Sequence, residues 1–215
     1  AITISGERSS LFLTILILLY LMMMLKLNFK ILSIFFVTIF LGVGLLVTLN
    51  ETVKNRIIIY TKNQIFSENK TYFFSEDHNG HLLAAIDIFK QNNKIIGIGP
   101  KNFRNYCFNN EKYNNKPYVC SSHPHNTYIQ ILLETGILGF TILIFIFSII
   151  IFLSLRHFFL KLIKKKYLLS NFQVCLLSFY FMIFWPLVPT GSLFNNYLSI
   201  IYFLPAGLCI WSLKK

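Results

Sequence analysis

The sequence is short of acid. Eight Asp and Glu stand against 20 Lys and Arg, a formal net charge of +12. It is also short of cysteine, with four, and none in a C-x-x-C pair, which argues against a zinc or thioredoxin-like site. No pair of carboxylates and no metal-ligand spacing stands out, so metal-independent chemistry with no cofactor is expected. No cleavable signal pattern and no initiator methionine open the chain, and Ala1 begins almost directly on a motif. The expectation is a fragment or C-terminal portion of a longer protein, with a shortened gene as the alternative.

What is abundant is apolar. Hydrophobic residues make up 55% of the chain and 23 residues are Phe, a membrane-like composition. Most of the aromatics are expected to face lipid or the interface. A charge of +12 could mean a nucleic-acid partner, but the bases cluster beside apolar runs, as membrane topology requires. Membrane lipids are the expected partner and nucleic acid is not. Cys175 and Cys209 lie inside apolar runs and read as packing residues.

Five apolar runs are spaced along the chain: 9–25, 31–49, one from just beyond Gly136 to about 155, 172–188 and 197–213. The expected fold is an all-α membrane protein, a polytopic helical bundle of about five spans with a large, partly helical loop. Its parts are two transmembrane helices in 1–50, a loop domain in 51–122, and a motif helix plus three transmembrane helices in 123–215. The loop is too long to be a mere connector. Within it, 80–91 has the apolar spacing of an amphipathic helix. Lys26 with Lys30, Arg156 through Lys166, and Lys214 with Lys215 carry no acid among them. With five spans all three groups fall on one side, the cytoplasm by the positive-inside rule. The start of the chain, the long loop and the Thr190–Asn196 turn then face outward.

The stretch around which this arrangement is organised is His123-Pro124-His125-Asn126 and the segment after it. Pro124 suits the first turn of a helix, and Gly136 can end that helix in a left-handed cap. His125 then sits near the mouth of a membrane span. An imidazole titrates near pH 6.5, so it can act as a general base toward a hydroxyl. A polar turn with both histidines facing water is the plain alternative. Glu134 falls on the opposite helix face from His125, so its partner is expected on another span or on the loop.

Residues 123–139 read H-P-H-N-x-Y-x-Q-x-L-x-E-x-G-x-x-G. Upstream stand Gly97-Ile98-Gly99-Pro100-Lys101-Asn102-Phe103-Arg104 and Ser5-Gly6-Glu7-Arg8-Ser9. Together and in this order they resemble the O-antigen ligase and O-antigen polymerase family of bacterial membrane glycosyltransferases. The resemblance covers nearly the whole chain but only the C-terminal half of a typical family member.

The resemblance implies transfer of a glycan from undecaprenyl diphosphate to a sugar hydroxyl. The acceptor is lipid A–core oligosaccharide in a ligase and another carrier-linked repeat unit in a polymerase; ligase is the expectation. A non-catalytic membrane protein or transporter is the rival from another class, and a truncated, inactive remnant is a third. The implied place is the bacterial inner membrane, with the active site facing the periplasm. His125 aligns with the motif histidine as acceptor-activating base. Arg8 aligns with the helix-end arginine that stabilises the leaving diphosphate; its alternative is a snorkelling anchor. Arg56 and Arg104 are candidate diphosphate contacts or ordinary loop charges. His81 and His123 are candidates to line the cleft, and Asn126 to cap or orient the histidine turn. Gly97 and Gly99 permit a sharp backbone turn, with a phosphate cradle as the alternative. Inversion at the anomeric carbon is expected. An outward loop permits disulfides, so Cys107 and Cys120 are expected to pair, two free thiols being the alternative.

Overall fold

The computed structural model describes residues 8–65, 76–116, 119–186 and 189–213. Among these the chain is helical, without strands. The elements are α1 (Arg8–Met24), α2 (Phe29–Leu49), α3 (Glu51–Lys54), a π-helical stretch (Asn55–Ile59), α4 (Tyr60–Ile65), α5 (Glu76–Gln91), α6 (Phe103–Phe108), α7 (Glu111–Asn114), α8 (Thr127–Lys164), α9 (Asn171–Ile183) and α10 (Asn196–Leu213). Residues 5–7 of the first motif, 187–188 of the fourth apolar run and the terminal Lys214 and Lys215 lie outside the described residues.

Among the described residues one helix, α8, is long and apolar enough to cross a membrane. Ser33–Leu49 and Glu51–Asn63 pass that test together but are bent by 105° at their junction. Asn50 makes the bend: its amide caps the Leu46 carbonyl while its side chain accepts from the Val53 amide to start the next helix. Arg8–Met24, Asn171–Ile183 and Asn196–Ser212 are shorter apolar helices. By length and composition the described residues thus hold one span, or two if the bent pair is a single span, against the expected five or so.

The chain forms two compact units, Ala1–Phe73 with Ser154–Met182 and Phe74–Leu153 with Ile183–Lys215. In the first, the end of α1 is tied down by polar groups from α8. His157, fully buried, donates from Nε2 to the Met24 carbonyl at 3.0 Å and accepts the Leu169 amide on Nδ1 at 3.0 Å. Lys161 Nζ donates to the carbonyls of Met23 (2.8 Å) and Leu25 (2.9 Å), a cation where the helix dipole is negative. His157 is thus a structural cap. Deeper in the unit, the Tyr20 and Ser154 hydroxyls meet at 2.6 Å.

The second unit is built around α5. Ala84, Ala85 and Ile88 pack with Phe103, Cys107, Tyr113 and Leu133 in one buried cluster. Helix α5 begins at Glu76, four residues before the expected start, because Gly80 lies within the helix and does not open it. Asp87 accepts from Lys112 Nζ and Tyr113 Oη, which fastens α7 to α5. Cys107 and Cys120 form a disulfide with their Cα atoms 5.6 Å apart.

The decisive local feature is a break in α8. Gly136 has φ 69° and ψ −166°, in a region open essentially to glycine alone. This is not the expected left-handed cap, and a second helical stretch begins directly. The carbonyls and amides freed by the break are taken up by the backbone of 94–99. Ile98 and Gly99 donate to the carbonyls of Leu133 (3.0 Å) and Glu134 (2.9 Å). Ile137 and Leu138 donate to the carbonyls of Lys94 (2.8 Å) and Ile95 (3.2 Å). The amides of Ile98 and Gly99 are occupied by helix carbonyls, which removes the phosphate-cradle alternative for this segment.

Two outcomes follow. A Cβ on Gly136 would lie 2.2 Å from the Ile95 carbonyl oxygen, and one on Gly97 would lie 2.4 Å from that of Leu133. Gly136→Ala is expected to cost more than about 3 kcal/mol, read as loss of the folded species in a thermal melt in detergent. Replacing Cys107 and Cys120 by Ser should lower stability by about 3 kcal/mol, measured by the same melt with and without reductant.

Candidate active site

Four imidazoles gather in the second unit. His78 and His81 stand three residues apart on α5, the spacing that puts two side chains on one helix face. His123 and His125 come from the turn before α8. Ring centroids lie 4.1 Å apart for His123 and His125, 5.2 Å for His81 and His125, and 5.4 Å for His78 and His125. His125 is the ring common to all three contacts.

The turn is shaped by its backbone. His125 has φ 55°, a left-handed conformation unusual for a residue with a side chain. It keeps the helix from starting at Pro124, which is buried two residues before the cap and outside the expected first turn. Asn126 is the cap: its Oδ1 accepts from the amides of Tyr128 (3.0 Å) and Ile129 (3.1 Å). Its Nδ2 donates to the Pro186 carbonyl at 2.9 Å, which ties the turn to the chain after α9.

Residues 190–193 complete the turn. The Thr190 amide donates to the His125 carbonyl at 2.8 Å, and the Thr190 and Thr127 hydroxyls meet at 2.8 Å. The Thr190 carbonyl accepts from His123 Nε2 at 3.1 Å. A carbonyl cannot donate, so Nε2 carries the proton and Nδ1 accepts from the Ser122 hydroxyl, 2.9 Å away. His81 donates from Nδ1 to the Val119 carbonyl at 3.0 Å, beside the disulfide. Gln130, on α8, donates to Ser192 Oγ at 2.8 Å and accepts the Leu193 amide at 3.1 Å. Glu134 binds the loop, accepting the Phe103 amide at 3.3 Å and the Gln130 side chain at 3.1 Å.

Burial first, then the neighbouring His123, His81 and His78, pushes the His125 ring down to about 4. Burial likewise lowers His123, against the opposing hydrogen bond to Thr190. At neutral pH His125 is therefore uncharged, with the lone pair of one ring nitrogen free of a bound proton. Among the described residues no group of three or more His, Cys, Asp or Glu is arranged to hold a metal ion.

Of the arginines, Arg104 is exposed on α6 in the same unit as the histidines. Arg8 and Arg56 belong to the other unit. There the Arg8 guanidinium donates to Thr61 Oγ1 on α4 at 3.3 Å, so it lies against the segment that follows Arg56.

The O-antigen ligase family model matches residues 1–144, which is 144 of 215, or two thirds of the chain. The chain belongs to the O-antigen ligase family. No curated protein and no solved structure matches it significantly. The stretch matched to the O-antigen ligase model holds the histidine cluster, Glu134 and all three candidate arginines, whereas Thr190 to Leu193 lie beyond it. Sequence reasoning missed His78, although the spacing His78-x-x-His81 was there to be read, because Gly80 was taken as the helix boundary.

Above pH 6.5 His125 is neutral in both the folded and the unfolded chain. Below it the unfolded ring takes up a proton that the folded ring refuses until about pH 4. Stability should thus fall as pH drops from 6.5 toward 4. His125→Gln should flatten that slope, measured by thermal unfolding in detergent at stepped pH.

Proposed function

We propose that this chain carries the active site of an O-antigen ligase-type glycosyltransferase. It moves a glycan from undecaprenyl diphosphate to a hydroxyl of lipid A–core oligosaccharide at the periplasmic face of the inner membrane. The observation that carries the reading is the left-handed His125 at the centre of an imidazole cluster, in a chain of this family. His125 takes the proton of the acceptor hydroxyl, and the oxygen attacks the anomeric carbon. The bond from that carbon to the diphosphate breaks, and its electron pair leaves with the phosphate oxygen. One in-line displacement inverts the centre and needs no nucleotide, because the sugar–phosphate bond is already activated. The family resemblance assigns the departing diphosphate to Arg8 and to Arg56, whose guanidinium forks match its oxygens. His81, His123, Asn126 and Arg104 line or shape the acceptor side.

Two further features support the outward placement. A disulfide is stable in an oxidising compartment and rare in the cytosol. Lys26, Lys30 and the Arg156–Lys166 stretch hold the short-loop basic charge, so about five spans put them at the cytoplasm.

The test is complementation of a strain lacking the gene, read on lipopolysaccharide. Loss of all long-chain glycan with carrier-linked polymer accumulating is the expected deletion phenotype; core bearing a single repeat would mean polymerase instead. His125→Ala, at unchanged membrane abundance, should lower transfer by about 10²-fold or more. Arg8→Lys, which keeps the charge and loses the fork, should also impair it. Full transfer by the His125 variant would remove the base assignment.

A further inference from the structure

The turn that enters the α8 ladder points two large apolar side chains outward. Asn93 Oδ1 accepts from the amides of Ile95 (2.9 Å) and Ile96 (3.3 Å), and the Gly97 amide returns to the Asn93 carbonyl at 3.0 Å. This is a tight, side-chain-capped turn. Its tip residues are 66% (Ile95) and 62% (Ile96) exposed. Ile95 and Lys94 bond through their carbonyls to Leu138 and Ile137, the first residues after the Gly136 break in the membrane-length helix α8. Ile137 and Leu138 are themselves 49% and 62% exposed, and the apolar face continues to Phe145 at 67%. Within ten residues of the tip in sequence lie Lys90, Lys94, Lys101 and Arg104, all exposed, with no acid between residues 88 and 110.

We propose that the Asn93–Gly97 turn is a lipid-inserted foot. Ile95 and Ile96 enter the acyl boundary of the leaflet in which the membrane-length stretch of α8 begins, and the basic rim meets anionic headgroup phosphates. An apolar tip ringed by lysines is the chemistry of an interfacial anchor. The occupant is fixed by continuity. A turn joined by two backbone hydrogen bonds to the first residues of a span is at the bilayer surface wherever that span enters it. The Asn93 cap and the backbone clamp hold the tip in place, so insertion orders nothing new. The foot would set the height of the Gly97–Gly99 segment, and so of the histidine unit, above the leaflet that holds a lipid-borne substrate.

This inference rests on the membrane reading of α8 and not on glycosyl transfer. The test uses the full chain with Cys175→Ser and Cys209→Ser, the disulfide kept, in vesicles of phosphatidylethanolamine and phosphatidylglycerol. A nitroxide is placed at one site at a time by Ile96→Cys, Phe145→Cys or Asn109→Cys. Collision with oxygen relative to a water-soluble nickel chelate then reports depth. The ratio at 96 and at 145 should exceed that at 109 several-fold, and the ratio at 96 should fall when phosphatidylglycerol is omitted. A label at 96 as aqueous as that at 109, with 145 in lipid, overturns the foot. Spin–spin broadening at 96 assigns the patch to a second copy and also overturns it. A label at 145 in water removes the span and the foot together.

Discussion

The second unit depends on a backbone exchange. At Gly136 the helix gives up two of its own hydrogen bonds, and the 94–99 segment replaces both partners of each. Buried backbone groups must be paired, and a break beside an apolar stretch would otherwise leave four of them wanting. The exchange is possible only where two backbones can nearly touch, which is why the close approaches fall at Gly97 and Gly136. It puts the loop helices, with His78 and His81, beside the helix that follows His125. Glu134 adds a side-chain acceptor for the amide of Phe103, so the loop is held at two successive points.

The histidine turn is the opposite kind of construction. Here the conformation is costly and is held by one backbone tie together with side chains. A left-handed residue with a Cβ costs about 1–2 kcal/mol, and Thr190 and Asn126 supply the bonds that offset it. The result is a half-buried ring flanked by three imidazoles, where a positive charge is unwelcome. Burial and the flanking rings keep His125 neutral at pH 7, so it does not act as a cation toward phosphate.

Much of this was legible in the sequence. The apolar runs became helices, the helix geometry breaks at Gly136, Asn126 caps, Cys107 meets Cys120, and Glu134 turns to the loop. What was hidden has physical causes. Gly80 reads as a boundary, yet tertiary packing of Ala84, Ala85 and Ile88 carries the helix through it and brings in His78. Pro124 reads as a helix start because proline tolerates that place, but a left-handed successor is invisible to propensity. The tie from Thr190 to His125 spans 65 positions and runs through backbone atoms, so residue type alone could not announce it. The 105° bend after α2 depends on one asparagine serving two helices, a double role that no spacing encodes.

The backbone exchange also bears on how such a chain can change over generations. Its bonds pair Lys94 with Ile137, Ile95 with Leu138, Ile98 with Leu133 and Gly99 with Glu134, all through main-chain atoms. Side chains between the glycines can therefore drift widely. Length cannot: one codon gained or lost between 95 and 98 would leave one pair of rungs facing the wrong partners.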